Sequence, residues 1–89
     1  MRRENVEIFS DRTNAAAIRH PGRALPGVLV QGDNLHALCW RADLACEKIG
    51  RGASGYDEAN DLRNALWSYL SHYKVTLAEH ELELPFSEP

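Results

Sequence analysis

The hydrophobic pattern changes period once along the chain, at Gln31-Gly32-Asp33, and that change bounds what the chain can fold into. Before it, turn chemistry interrupts the sequence at Ser10-Asp11-Arg12-Thr13-Asn14, at His20-Pro21-Gly22-Arg23 and at Pro26-Gly27. Proline lacks a backbone donor and glycine tolerates positive φ, so only short extended runs fit between these breaks. Three such runs remain: Val6-Glu7-Ile8-Phe9, Ala15 to Arg19, and Val28-Leu29-Val30. Consecutive short strands with tight turns predict an antiparallel meander.

After Gly32 the spacing becomes helical. Asp33 reads as an N-cap, followed by a stripe of Leu35, Leu38, Ala42, Ala45 and Ile49 that spans about 80° at 100° per residue. Cys39 and Cys46 flank that stripe, and Gly50 and Gly52 are C-cap candidates. Ser54-Gly55-Tyr56-Asp57 fits a capping box that opens a second helix. Its stripe is Leu62, Leu66, Tyr69, Leu70, Tyr73 and Leu77, and it is expected to end near Glu79. The alternation in Leu82-Glu83-Leu84-Pro85-Phe86 allows a short C-terminal edge strand. The expected fold class is therefore α+β, a three-stranded antiparallel sheet backed by two helices in the order β-β-β-α-α, as one domain over residues 1–89.

Composition narrows the function. A chain of 89 residues buries only roughly 60% of its unfolded surface, which leaves little room for an enclosed active site. Its longest apolar run, Ala15 to Ile18, is too short to span a bilayer, and Met1-Arg2-Arg3 leads into Glu4-Asn5 instead of an apolar signal segment. The net charge of −3 is unevenly placed, at +2 over residues 1–51 and −5 over residues 52–89. Without a concentrated basic surface, nucleic acid is not an expected partner. An acidic C-terminal half suits a basic protein partner. Cys39 and Cys46 lie seven residues apart on one helix, too far to bridge, and read as small buried thiols of a reducing, cytoplasmic compartment.

Catalytic constellations are thin. Ser10, Asp11 and His20 supply triad residue types, but no nucleophile elbow surrounds the serine. His36 and Cys39 stand three apart on a helix, yet Cys39 borders the core stripe. His72, Glu79, His80 and Glu81 gather in sequence without a HExxH or CxxC spacing. Gly27 and Gly32 frame a loop of phosphate-binding length, but Asp33 stands where such a loop needs lysine. The chain is expected to be no enzyme and to carry no metal or cofactor. A competing expectation, a regulator responsive to a metal or small molecule, would use His72, Glu79, His80 and Glu81.

The aromatic residues carry more information. Trp40 and Leu44 lie roughly 120–160° around the first helix from Leu38, and Trp67 lies about 140° from Leu62 on the second. Two accounts fit: both edges are core, or they form an exposed patch for a partner. Tryptophan is enriched at binding hot spots because it buries a large area with few rotors. On the second account Trp40, Leu44 and Trp67, with the acids Asp57, Glu58 and Asp61, contact a protein partner, with homodimerisation as the rival use of that patch.

The segment from Pro26 to Leu35 resembles a motif of HicB-like antitoxins, which pass from a Leu-Pro-Gly turn through a strand to Gln-Gly-Asp opening a helix. Leu25-Pro26-Gly27 and Gln31-Gly32-Asp33 match it, Asn34 replaces the usual threonine, and Leu84-Pro85-Phe86-Ser87-Glu88-Pro89 echoes a Pro-x-Pro-like tail. The resemblance covers residues 6–49 and the tail; the second helix is additional, and no DNA-binding segment follows. It implies an antitoxin or immunity-type inhibitor of a basic toxin encoded nearby. The whole chain is also similar to a group of small bacterial proteins of unassigned function that share Asn-Ala-Ala, Pro-Gly-Arg, Pro-Gly-Val and Gln-Gly-Asp. Physically, Pro26 and Gly27 set a turn, while Gln31, Gly32 and Asp33 make a strand-to-helix junction.

Overall fold

The computed structural model describes residues 1–87, which form two compact units, Met1–Gln31 and the segment from Gly32 onward. The first holds strands β1 (Glu7–Ser10), β2 (Ala15–Arg19) and β3 (Gly27–Val30). The second holds helices α1 (Gly32–Ile49) and α2 (Tyr56–Glu79). The order is β-β-β-α-α, an α+β fold with an antiparallel meander.

Strand β2 is central in the order β1-β2-β3. Glu7 faces Arg19 and Ile8 faces Ile18 across one ladder; Ala16 faces Leu29 and Ala17 faces Val28 across the other. The first turn is held by Thr13, whose Oγ1 accepts the Ala15 amide at 3.2 Å. A β-bulge interrupts β1 between Ile8 and Ser10. Beside it Arg19 forks onto Glu7, with Nη2 at 2.7 and 2.6 Å from the two carboxylate oxygens. The Arg19 guanidinium also lies 5.8 Å from the centre of the Phe9 ring. Ile8, Ala16, Ile18 and Leu29 therefore share one face, and Glu7, Phe9, Arg19, Val28 and Val30 the other. No residue of this unit is buried.

The helices pair through a narrow seam. On α1 the buried residues are Gly32, Cys39 and Cys46, and on α2 Leu70 is buried. The α1 seam lies about 80° round from the centre of the Leu35–Ile49 stripe. Leu38 and Ile49 of that stripe are exposed, as are Leu62 and Tyr69 of the α2 stripe. The correction has a steric reason. Small residues recurring every seven positions let the backbones approach, and the larger aliphatic residues are displaced to the rims. At the head of the seam a Cβ on Gly32 would overlap the Tyr73 ring.

The helix ends also differ from expectation. α1 starts two residues earlier than an Asp33 cap would require, which puts Asp33 inside the first turn, and Asp33 Oδ1 accepts the Asn34 amide at 2.9 Å. The capping box at Ser54 does not form. Gly55, at φ 87°, takes the N-cap position with no side-chain hydrogen bond. α2 closes with Glu81 at φ 57° and the Leu82 amide donating to Leu77 O at 2.9 Å. That closure removes the edge strand allowed at Leu82–Phe86: the Leu82 amide is already bonded and Pro85 has none to offer. No strand forms among residues 82–87. The Glu88-Pro89 end of the proline-containing tail lies outside the described residues.

Replacing Gly32 by alanine tests the seam. If glycine served only to start the helix, Gly32→Ala would stabilise the chain by up to ~1 kcal/mol. Overlap with Tyr73 instead makes the variant less stable by about 1–3 kcal/mol, and a Tyr73→Ala background removes that penalty. Urea unfolding of the four proteins of this cycle measures both quantities.

Candidate functional site

The helical unit holds two tryptophans in different circumstances. Trp67 is half-buried, and its indole N–H donates across the seam to Asp43 Oδ1 at 2.9 Å. It is positioned there by the seven-residue rhythm that sets Arg63 and Leu70 on the same side of α2. Trp67 therefore belongs to the helix pairing, and its polar edge is already bonded.

Trp40 is 52% exposed and Leu44, one turn further, is 49% exposed. With Arg41, Asp43 and Glu47 they line an open groove of about 330 Å³. Trp40 is held in place although it faces solvent. Its N–H donates to His36 Nε2 at 3.1 Å, and the two rings meet edge to face at 86°. The other partner of His36 is Phe86, stacked at 4.1 Å and 4°. A chain of three rings thus runs from the C-terminal tail to the exposed indole. Asp57, Glu58 and Asp61 are exposed on the first turns of α2. At 100° per residue they lie roughly 140–240° from Leu70, on the outer face of that helix.

A second concavity, polar and about 400 Å³, opens where the helices are joined and is lined by Asp43, Glu47, Arg51, Tyr56 and Arg63, with Cys46 at its floor. Arg63 is half-buried and donates to Asn60 Oδ1. Burial pushes the Cys39 thiol up from its ordinary range, and the Asp43 carboxylate adds to that shift. A fully buried thiol held protonated is a poor nucleophile, so His36 and Cys39 make no catalytic pair, and the imidazole is engaged by Trp40 and Phe86. Both cysteines are free. Among the described residues no three His, Cys, Asp or Glu side chains are gathered so as to hold a metal, so His72, Glu79, His80 and Glu81 form no such cluster. No helix among them is long and apolar enough to cross a membrane.

The expected contact set is thus divided: Trp40 and Leu44 share one exposed face, Trp67 lies in the seam, and the three acids stand on the outside of α2. Phe86, Asp43 and Arg63 carry no site signal in the sequence, and His36 stands out there only beside Cys39. The His36–Trp40 pair was legible as an i, i+4 spacing, whereas nothing local connects Phe86 to residues some fifty positions earlier. The scaffold residues Pro26 and Gly27 lead into β3, and Gln31, Gly32 and Asp33 carry the chain into α1.

A three-stranded meander followed by a helical hairpin defines a small α+β protein. The chain belongs to the family of unknown function DUF6959, whose pattern matches residues 1–86. No curated protein and no solved structure is significantly similar to it.

The different settings of the two indoles have a measurable consequence. Trp67→Ala leaves Asp43 without its donor and opens the seam, and is expected to lower the unfolding free energy by about 2 kcal/mol or more. Trp40→Ala removes a half-exposed ring and is expected to lower it by about 1 kcal/mol or less. Equal losses in chemical denaturation would contradict the assignment.

Proposed function

We propose that this chain is a non-enzymatic, cytoplasmic protein-interaction module, an antitoxin or immunity-type inhibitor that captures a basic partner through its helical unit. The observation that carries the reading is the immobilised, exposed indole of Trp40. A binding anchor contributes most when it is large, apolar and already held in its bound orientation, because little rotamer entropy is then lost on association. Phe86 stacked on His36, with His36 edge-on to Trp40, provides that, and Leu44 widens the apolar contact.

Charge supports the same partner class. Residues 32–89 carry ten acidic side chains against five basic ones. Such a surface accelerates encounter with a basic protein, and a blocking inhibitor needs no reactive group of its own. Asp57, Glu58 and Asp61 fit this steering role, with Trp40 and Leu44 as the contact. The HicB-like motif from Leu25 to Leu35 agrees with an antitoxin.

The direct experiment is calorimetric titration of the chain with the product of the adjoining gene. Binding with Kd in the nanomolar to micromolar range is expected, and Trp40→Ala should weaken it by about 2 kcal/mol, roughly thirtyfold, at unchanged circular dichroism. A Trp40→Ala variant that binds as tightly as the parent would remove the basis of the reading.

A second reading, a regulator responsive to a small molecule, is favoured by the polar cavity at the helix junction. Arg51, Arg63 and Tyr56 offer donors there, and Asp43 and Glu47 offer acceptors, a mixture suited to a zwitterion. Amino acids at millimolar concentration should then raise the midpoint of thermal unfolding in proportion to the logarithm of their concentration, and Arg63→Gln should abolish the rise.

A further inference from the structure

We infer that the outer edge of β3 is a self-association surface through which two copies of this chain join their sheets into a single six-stranded sheet. The sheet unit calls for completion. None of its residues is buried, and Val28 and Leu29 are 69% and 55% exposed. Three strands this short are marginal unless more apolar surface is covered.

The two edges of the sheet are built differently. β1 is guarded by its bulge, by the Glu7–Arg19 pair across it, and by the Arg2–Glu4 ion pair just before it. Bulges and charges are devices that prevent one edge from pairing with another. β3 carries none of them. Gly27-Val28-Leu29-Val30 has no charge and pairs with β2 in unbroken register, so its outward backbone groups stand open.

The occupant that fits is a second copy of the same strand. A two-fold axis through Leu29 sets that residue opposite Leu29 of the second copy, and Val28 opposite Val30. Residues facing one another in an antiparallel ladder share a face. The apolar row Ile8–Ile18–Ala16–Leu29 is then continued by the same row of the other copy. The start of one β3 approaches the end of the other. Arg23 and His20 precede β3, and Asp33 follows it, so opposite charges meet at both ends of a neutral ladder. Arg23 has no ion pair among the described residues. An open groove of about 570 Å³ lined by Ile18, His20, Arg23, Leu25, Val28 and Leu29 leaves this end of the sheet uncovered. A basic partner is disfavoured here, since residues 1–31 carry five arginines against three acids.

Sedimentation of the full chain tests this. The parent should sediment at about twice 10.0 kDa. Leu29→Lys places like charges face to face and should weaken association by about tenfold or more, whereas Ile8→Lys near the guarded edge should leave it intact. Cross-linking avoids any effect on folding. Leu29→Cys should form an intermolecular disulfide under mild oxidation, because directly opposed residues lie within bridging distance. Ile8→Cys should not. Hydrogen exchange should show the amides of residues 28–30 protected in a concentration-dependent way. A chain that sediments as a monomer at all accessible concentrations would overturn the inference. So would a dimer that Leu29→Lys leaves unchanged and in which Leu29→Cys fails to cross-link.

Discussion

The helical unit depends on one close approach, where the bare backbone of Gly32 meets the ring of Tyr73. A Cβ at position 32 would overlap the far end of the Tyr73 ring, so either that ring or the start of α1 would have to shift to admit one. Cys39 and Cys46 follow at seven-residue steps and keep the separation small along the helix. Leu70 of α2 is likewise fully enclosed. Small side chains on one helix and a large one on the other give dense packing with few buried groups. The polar bond from Trp67 to Asp43 then fastens the pair at a point that packing alone would leave free to slide.

With the seam so narrow, much of the apolar surface of both helices remains outside it. That is why Trp40 and Leu44 remain exposed on α1. Asp43, bonded to Trp67, stands where the seam borders the open groove lined by Trp40 and Leu44. The sheet unit shows the same economy. Its strands are joined by regular ladders and tight turns, yet its apolar side chains are not enclosed by its own packing. The two units carry opposite net charges, +2 on residues 1–31 and −5 on residues 32–89.

The order of elements was legible in the sequence because it rests on local signals. Pro21-Gly22 and Pro26-Gly27 break the chain where the structure turns, and the change of period at Gly32 marks where α1 starts. The side of each helix that is buried was less legible. Periodicity weights every apolar residue alike, so Leu38, Ile49, Leu62 and Tyr69 drew the expected faces towards themselves. What decided the seam was the absence of bulk at Gly32, Cys39 and Cys46, a property that a count of apolar residues does not register. Similarly, Ser54 carries the right side chain for a cap, but Gly55 reaches the required left-handed backbone without strain. The site was legible only in part. The exposure of Trp40 was foreseen as one of two accounts, and its bond to His36 follows from helical spacing. The stacking of Phe86 depends on where the tail goes after Glu81, which no local pattern specifies.

The bulge in β1 reaches further than its own strand. A sheet with two receptive edges has no natural end, since each added copy presents a fresh edge for the next, and the product is a filament. Here one edge is bent and charged while the other is straight and neutral. On the inferred pairing, growth would proceed on one side only, and two copies joined there would leave no receptive edge. For the pairing inferred above, the extra residue between Ile8 and Ser10 would separate an assembly that terminates from one that polymerises.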